Sequence, residues 1–188
     1  MASLLINDDS YFDEAMEIYN RGTNRHLFQK GVVNKYNWTQ LGSSHGNSDI
    51  NFAVLFSQLE KIDEIIEKRR TIYKRYENMA ENLGKYGVKF QDLSLVSGSN
   101  YSSFYLLLKN NFARNNLIEY LKNQSIQAQF HYIPLHSSPM GMMNTEEVEL
   151  KNTDHASDSL IRLPIYPSLK KEEQDHVINS IFDYFGQN

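Results

Sequence analysis

Cysteine is absent from the 188-residue sequence, which excludes disulfide bonds, thiolate nucleophiles and cysteine-ligated zinc for this chain. Long apolar runs are missing too. The three apolar residues 4–6 are followed at once by Asn7 and two aspartates, so neither a signal peptide nor a membrane span is predicted there. A formal net charge of −4 gives no reason to expect nucleic acid or an anionic membrane as a partner. A cytoplasmic location is the default expectation.

Several familiar catalytic motifs are also missing. The sequence has no G-x-x-x-x-G-K-[ST] phosphate loop, no G-x-G-x-x-G fingerprint and no G-x-S-x-G nucleophile elbow. No spaced pair of carboxylates indicates glycoside hydrolysis. The composition is 40% apolar and 22% charged, which is typical of an ordinary folded protein rather than a disordered one. The length suits one domain with its own core.

Helical periodicity is strongest in the first half of the chain. A first helix is predicted at residues 9–19, and Gly22 is expected to end it in the left-handed conformation. Residues 48–84 predict a long connecting helix, because their apolar side chains keep helical spacing without a proline and Gly84 follows as a stop. Such a helix rises about 50 Å. It therefore either bridges two bodies or kinks midway.

The remaining part, residues 85–188, mixes strand and helix periods. Alternating apolar residues predict short strands, and capping residues followed by apolar spacing predict helices. The predicted strands lie at 88–90, 103–108 and 126–130, with a loop at 97–100; the predicted helices start at Asn111, near Asp154 and near Ser168; 140–153 is predicted as loop and 162–167 as extended. The predicted fold class is α+β, a long helix plus a small, mostly antiparallel sheet with helices on one face.

The densest cluster of chemically active side chains is His131, Tyr132 and His136, beside the turn that Pro134 stiffens. Two histidines five residues apart suit a metal ion, but no second pair of ligands follows at a recognisable spacing, so no metal site is predicted. The competing interpretation is that these are hydrogen-bonded packing residues.

The polar loop 42–48 leads directly into the predicted long helix. Backbone amides and hydroxyl groups at a helix start can hold a phosphate. Ordinary helix caps have the same composition. The residues alone leave both interpretations open.

Seven short segments occur in the order, and at similar intervals, found in one family. They are residues 4–8, 22–25, 35–38, 42–44 with 48–49, 58–60, 130–136 and 162–164. Together they span nearly the whole chain and resemble the DegT/StrS sugar-nucleotide aminotransferases. Within that family the segments are most similar to those of members that aminate TDP-4-keto-6-deoxy-glucose for enterobacterial common antigen.

The resemblance implies a fold and a division of the chain. The family has the type I aminotransferase fold, in which a large domain that binds pyridoxal phosphate (PLP) is followed by a smaller C-terminal domain, and it forms dimers with active sites at the interface. This chain would be the C-terminal half. Residues 1–47 would be a remnant of the large cofactor domain with an interface loop, 48–84 the connecting helix, and 85–188 the small α+β domain.

The resemblance also implies roles for particular residues. In the family a lysine that forms a Schiff base with PLP precedes the segment matched by 4–8, and no lysine of this chain stands in that context, so no catalytic residue is expected. Ser44 takes the place of an asparagine that reaches the cofactor phosphate of the neighbouring subunit, and Gly46 stands where an arginine is often found. His131, Tyr132 and His136 match a segment that borders the sugar site and are expected to bind substrate.

The expected activity is therefore transfer of an amino group from glutamate to a 4-keto-6-deoxy nucleotide sugar, in the biosynthesis of surface polysaccharide. PLP is the cofactor of the full-length family, and this chain alone is expected to bind none and to be inactive. The alternative is a stand-alone, non-catalytic binding or dimerisation module. In either case the apolar face of the long helix predicts a homo-oligomer.

Overall fold

The computed structural model describes residues 4–93, 98–144, 146 and 148–187. Contacts divide the chain into two compact units, one ending at Ile62 and the other beginning at Asp63. Within the described residues, no helix combines the length and the apolar character needed to cross a bilayer. The helices of the first unit are α1 (Phe12–Tyr19), α2 (Arg25–Gln29) and α3 (Asp49–Leu59).

The first unit begins as the periodicity predicts. A 3₁₀ turn at Asp9–Tyr11 runs into α1, and the Asp8 carboxylate accepts a hydrogen bond from the backbone amide of Ser10 at 2.9 Å. Gly22 then has a φ of 75°, so the predicted left-handed stop is confirmed. Ser48 caps α3 by accepting from the amide of Asn51, which confirms the predicted helix start.

The second unit is α+β, with a four-stranded antiparallel sheet in the order β1-β2-β4-β3. Of the two alternatives for the predicted strand at 126–130, an edge strand or a half-buried strand, the edge strand forms: β3 is short and both of its residues are exposed. In chain order the elements are α4 (Ile62–Glu81), β1 (Lys89–Phe90), β2 (Phe104–Leu107), α5 (Asn111–Asn123), β3 (Gln129–Phe130), α6 (Pro139–Asn144), α7 (Lys151–Ser159), β4 (Leu160–Leu163) and α8 (Lys171–Gln187).

One face of this sheet forms the core. Phe104 and Leu106 of β2 lie opposite Leu163 and Ile161 of β4, and all four are buried. On the other face Arg162 is partly exposed. Side chains of α4, α5 and α8 fill the same core cluster. The predicted arrangement of a small antiparallel sheet with helices on one face is confirmed.

Two buried tyrosines fix α4 to the sheet. The Tyr73 ring lies edge-on to Phe104, with 5.0 Å between the ring centroids, and its hydroxyl donates to the backbone carbonyl of Gln91. The Tyr76 hydroxyl donates to the carbonyl of Pro164 at 2.9 Å. Burial raises the pKa of Tyr76, so the phenol stays neutral and keeps its proton for that bond. Apolar burial and a satisfied polar atom therefore act at the same side chain.

The predicted continuous helix at 48–84 is wrong in one respect: it is two helices, α3 and α4, separated at residues 60–61. The amide of Lys61 bonds to the carbonyl of Gln58, three residues back, which tightens the end of α3. Apolar spacing continues across the break and neither glycine nor proline marks it, so periodicity gave no signal. Of the two alternatives for so long a helix, the midway interruption is what forms.

The segment predicted as loop, 140–153, also contains helix. Pro139 occupies the first position of α6, where its missing N–H costs nothing, and the Ser138 hydroxyl accepts from the amide of Gly141 at 3.1 Å. Ser138-Pro139 is thus the signal for the start of this helix, although the glycine and methionine content of the segment had suggested a loop. Helix α7 begins at Lys151, ahead of the predicted start near Asp154. Residues 145 and 147 lie outside the described residues.

Smaller corrections concern the ends of elements. The cap of α5 is Asn110 rather than Asn111, because the Asn110 side chain accepts from the amide of Ala113. Helix α8 begins at Lys171, later than the predicted Ser168. Only Gln129 and Phe130 of the predicted strand at 126–130 pair with β4. Of the predicted loop at 97–100, residue 97 lies outside the described residues.

The Tyr76 hydrogen bond yields a stability prediction. Tyr76→Phe leaves the buried carbonyl of Pro164 without its donor, so we expect the free energy of unfolding of the second unit to fall by about 1–2 kcal/mol in urea denaturation. Tyr86→Phe is the matched control, because Tyr86 is 43% exposed and should lose almost nothing. Equal losses in both variants would contradict the assignment.

Candidate functional site

Two glycines of the first unit touch through their backbones. A Cβ atom on Gly22 would lie 1.9 Å from the carbonyl oxygen of Gln40, and one on Gly42 would lie 2.1 Å from the amide nitrogen of Gly22. The carbonyl of Gly22 in turn accepts from the amides of Thr39 and Gln40. This close approach holds the segment before α3 against the end of α1.

A cleft opens beside this contact and contains the Ser44 position singled out from the sequence. Its volume is about 360 Å³. Ser44 forms a β-bridge with Asn20, and no hydrogen bond among the described residues uses its hydroxyl. That hydroxyl is available to donate to a ligand. The lining residues are Tyr19, Asn20, Arg21, Thr23, Arg25, Tyr36, Ser44, Gly46 and Asn47.

The charge in this cleft comes from two arginines. Among the described ion pairs none involves Arg21 or Arg25. The Glu17 carboxylate of α1 accepts instead from the side chains of Thr39 and Gln40, at 2.9 and 2.8 Å. The cleft therefore combines two guanidinium groups with a free hydroxyl, which suits an anion.

In the second unit, His131 and Tyr132 lie next to Arg162 of β4. The two rings meet edge to face with centroids 4.9 Å apart, and the Arg162 guanidinium lies 5.9 Å from the Tyr132 ring centroid. Loss of hydration lowers the pKa of His131 below its ordinary value, and the positive charge of Arg162 lowers it further. His131 is thus held as the neutral imidazole, which can both donate and accept.

Arg162 also lines a cleft of about 540 Å³ at the end of the sheet, together with Gln129 and Tyr166. The Arg162 Nη2 atom donates to the Gln129 amide oxygen at 3.4 Å, while its Nε atom is buried without a partner among the described residues. A buried donor without an acceptor is rare in a completed structure. Arg162 thus has one buried N–H donor without an acceptor among the described residues.

His136 has different surroundings from His131. Its Nε2 atom lies 3.0 Å from the Asp154 carboxylate, and it lines a separate cleft of about 670 Å³ with Ser137 and Val148. Substrate binding by His131 and His136 stays a prediction. Within the described part of the chain, no group of three or more histidine, aspartate or glutamate side chains is placed to hold a metal ion.

Sequence reasoning missed the partners of these residues. Arg25 and Arg162 stand inside two of the segments that carried the resemblance, but neither was expected in a site. Arg21 and Asp154 carried no motif at all. These residues are recognised only in the three-dimensional structure. It shows which groups lie beside each charged side chain and whether a side chain of opposite charge pairs with it.

Comparison with known proteins bears on the whole chain. Residues 3–182 match the DegT/DnrJ/EryC1/StrS aminotransferase family. The chain belongs to that family. The aminotransferase family predicted from the seven segments is therefore confirmed at the level of family membership.

Solved structures share the fold. The aminotransferase TlmJ of Streptoalloteichus hindustanus superposes with a TM-score of 0.82 at 18% identity, over 97% of this chain and 46% of its own. PseC of Helicobacter pylori, an aminotransferase of pseudaminic acid biosynthesis, gives 0.79 at 18%, over 97% and 48%. NtdA of Bacillus subtilis, solved with the cofactor PMP, gives 0.77 at 18%, over 94% and 40%. This chain thus spans less than half the length of each of these three proteins.

The glycine contact makes a prediction for this DegT/DnrJ/EryC1/StrS chain. Gly22→Ala places a methyl group on the Gln40 carbonyl, so the amides of Thr39 and Gln40 should lose protection and exchange with solvent faster in NMR-detected hydrogen exchange. Gly31→Ala is the control, since Gly31 has a similar φ of 71° but no atom within 4 Å of the added group. Equal exchange in the two variants would show that conformational strain, not contact, controls the segment.

The environment of His131 leads to a second prediction for this site. Arg162→Gln should raise the pKa of His131, measured from imidazole proton shifts, yet leave it below the ordinary 6.5, because the loss of hydration remains. Since the folded pKa is lowered, the unfolded chain binds more protons below about 6.5, and this contribution to stability is lost as pH falls. Because its His131 pKa lies closer to the ordinary value, the Arg162→Gln variant should lose less stability than the unmodified chain as the pH falls. Arg70→Gln removes a distant charge and should change nothing; an unchanged pKa in Arg162→Gln would refute the assignment.

Proposed function

We propose that this chain forms the part of a sugar-nucleotide aminotransferase that contacts the cofactor phosphate and the sugar. The amino acceptor would be a 4-keto-6-deoxy nucleotide sugar, of the TDP-4-keto-6-deoxy-glucose kind used for enterobacterial common antigen, and glutamate the donor. Family membership over residues 3–182 supports the class of reaction. The observation that carries the role of this chain is the unbonded Ser44 hydroxyl in a cleft with two arginines.

The Ser44 cleft fits the phosphate of PLP. A phosphate monoester carries close to two negative charges near neutral pH, and it needs several hydrogen-bond donors. Ser44 offers one hydroxyl proton, and Arg21 and Arg25 offer guanidinium protons with no competing carboxylate among their described ion pairs. When bound, PLP supplies the electron sink for transamination, and the protein supplies position and charge. Ser44 and the arginines would hold and orient the phosphate end.

The sugar side of the proposal rests on the second unit. His131, neutral and partnered with Tyr132, offers one donor and one acceptor, the pattern that sugar hydroxyls require. Tyr132 is 76% exposed, so its ring and hydroxyl are accessible. His136 would contribute through the nitrogen that does not face Asp154. Substrate binding at these three residues is our assignment.

Covalent attachment of the cofactor is not proposed for this chain by itself. None of its lysines stands in the sequence context of the family's cofactor lysine. The sequence led us to expect that this chain alone binds no PLP; because of the cleft at Ser44 we propose instead that the 188-residue chain binds the phosphate of PLP without forming a covalent bond, and, as expected, does not turn over substrate alone. The complete activity would require the lysine of a large domain.

Ser44 provides the test. Ser44→Ala should weaken binding of PLP by roughly 1 kcal/mol, the scale of one lost hydrogen bond, measured by equilibrium dialysis. Ser43→Ala is the matched control, because Ser43 takes part through its backbone carbonyl and amide. Equal affinity in both variants would leave Ser44 as a residue of the helix entry only. A stoichiometric lysine adduct after borohydride reduction, with turnover, would contradict the non-covalent proposal.

A second candidate function is a dimerisation module, which the surface of α3 favours. Several of its apolar side chains are exposed, including Ile50 at 77% and Phe56 at 63%. Contiguous exposed apolar surface on a folded chain usually belongs to an interface. A two-fold homodimer through α3 would bury the same face on both copies.

Light scattering tests the dimerisation candidate. If α3 mediates self-association, the chain should have the mass of a dimer, and Phe56→Glu should shift it to a monomer by placing a charge in the interface. Gln58→Glu adds the same charge at a polar position of α3 and should leave the dimer intact. A monomeric mass for the unmodified chain at high concentration would remove the dimerisation candidate.

A further inference from the structure

The loop that we propose to hold the phosphate contains no permanently charged cation, and His45 is its one titratable side chain. Residues 42–48 include neither lysine nor arginine, and Gly46 occupies the position where the resemblance leads one to expect an arginine. A single hydroxyl from Ser44 is a weak partner for a dianion. If the cleft binds phosphate, the charge must come from another segment.

Arg21 and Arg25 stand in the same cleft as Ser44 and Gly46. We propose that these two arginines, from the turn after α1 and the start of α2, supply the positive charge that the loop lacks and bind a phosphoryl group together with Ser44. The inference rests on the proposed phosphate role of Ser44 and deepens it. It adds two binding residues and a reason why glycine is tolerated at position 46.

The backbone fixes both arginine positions. Arg21 has a φ of 65°, a conformation that residues other than glycine rarely adopt, and its amide donates to the carbonyl of Ser43 at 3.3 Å. Arg25 precedes His26, which is buried and lies 3.2 Å from the Asp13 carboxylate. The backbone conformation thus fixes the Cα atoms of both arginines near the loop. Only their side-chain torsions remain to be ordered by a ligand.

Neighbouring acidic residues are engaged elsewhere. Asp13 pairs with His26, and Glu17 accepts two hydrogen bonds from Thr39 and Gln40. Among the residues that the structure describes, no acidic side chain lines the cleft. The two guanidinium groups are therefore available to bind an anion from solvent. A phosphoryl dianion has the opposite charge, and its oxygen atoms match the donor geometry of arginine.

Two sources share this chemistry: the monoester phosphate of PLP and the diphosphate of a nucleotide sugar. A 360 Å³ cleft accepts a phosphoryl group from either. The experiment therefore uses inorganic phosphate as the common probe. Pyridoxal phosphate and thymidine diphosphate serve as the two specific arms.

The test is an NMR titration of the 188-residue chain that follows the backbone amides of the cleft. Inorganic phosphate should shift these amides and saturate. Each of Arg21→Gln and Arg25→Gln should weaken binding by about fivefold, the upper range for one solvent-exposed ion pair, and the double variant by about twentyfold. Lys30→Gln is the control, since it removes a charge from the same unit outside the cleft and should leave the affinity unchanged.

The outcomes separate this inference from the role of Ser44. Loss of affinity in the arginine variants but not in Ser44→Ala would support the arginines and overturn the hydroxyl contact. Loss in Ser44→Ala alone would overturn the arginine proposal while leaving the phosphate role in place.

Equal weakening in Lys30→Gln would show only general charge attraction and overturn the site. The same conclusion would follow if sodium chloride of matched ionic strength shifted the same amides equally. Tighter binding of pyridoxal phosphate than of thymidine diphosphate would support the cofactor as the source, and the reverse order the nucleotide.

Discussion

The contact between Gly22 and Gly42 sets the geometry on which the first unit and its cleft depend. Because neither residue has a side chain, two stretches of backbone approach to a distance that a single methyl group would prevent. Arg21 and Ser44 both line the cleft beside this contact. The positive-φ turn, the absence of side chains at the two glycines and the Ser44 hydroxyl thus lie together in the first unit.

The second unit is built on a different constraint, the burial of one sheet face beneath α4, α5 and α8. Tyr76 and Tyr73 combine apolar burial with satisfied hydroxyl groups, so the helix position is specific as well as stable. The candidate site residues of this unit lie away from this core. Arg162 leaves the sheet on the opposite face, and His131 and Tyr132 follow β3 on a connecting segment, in keeping with the general division between a rigid scaffold and side chains that bind.

Much of this architecture was predictable because it follows from periodicity. The helices near residues 12 and 111, the antiparallel strands and their single buried face all come from local spacing of apolar residues. The break at 60–61 and the helix at Pro139 were missed, since one leaves the spacing unchanged and the other is too short to show a period. In the site, Ser44 was identified by resemblance, whereas Arg21 was not. Whether an arginine lacks a carboxylate partner depends on residues far along the chain, and no local pattern records it.

We propose that the cleft at Ser44 binds the phosphate group of PLP without a covalent bond to this chain. The ³¹P NMR resonance of pyridoxal phosphate, recorded together with its aldehyde proton as the chain is added, tests this proposal. We expect that the phosphorus resonance shifts to saturation, that excess inorganic phosphate reverses the shift, and that the aldehyde signal is retained. An unmoved phosphorus resonance, or loss of the aldehyde signal as a lysine adduct forms, would contradict it.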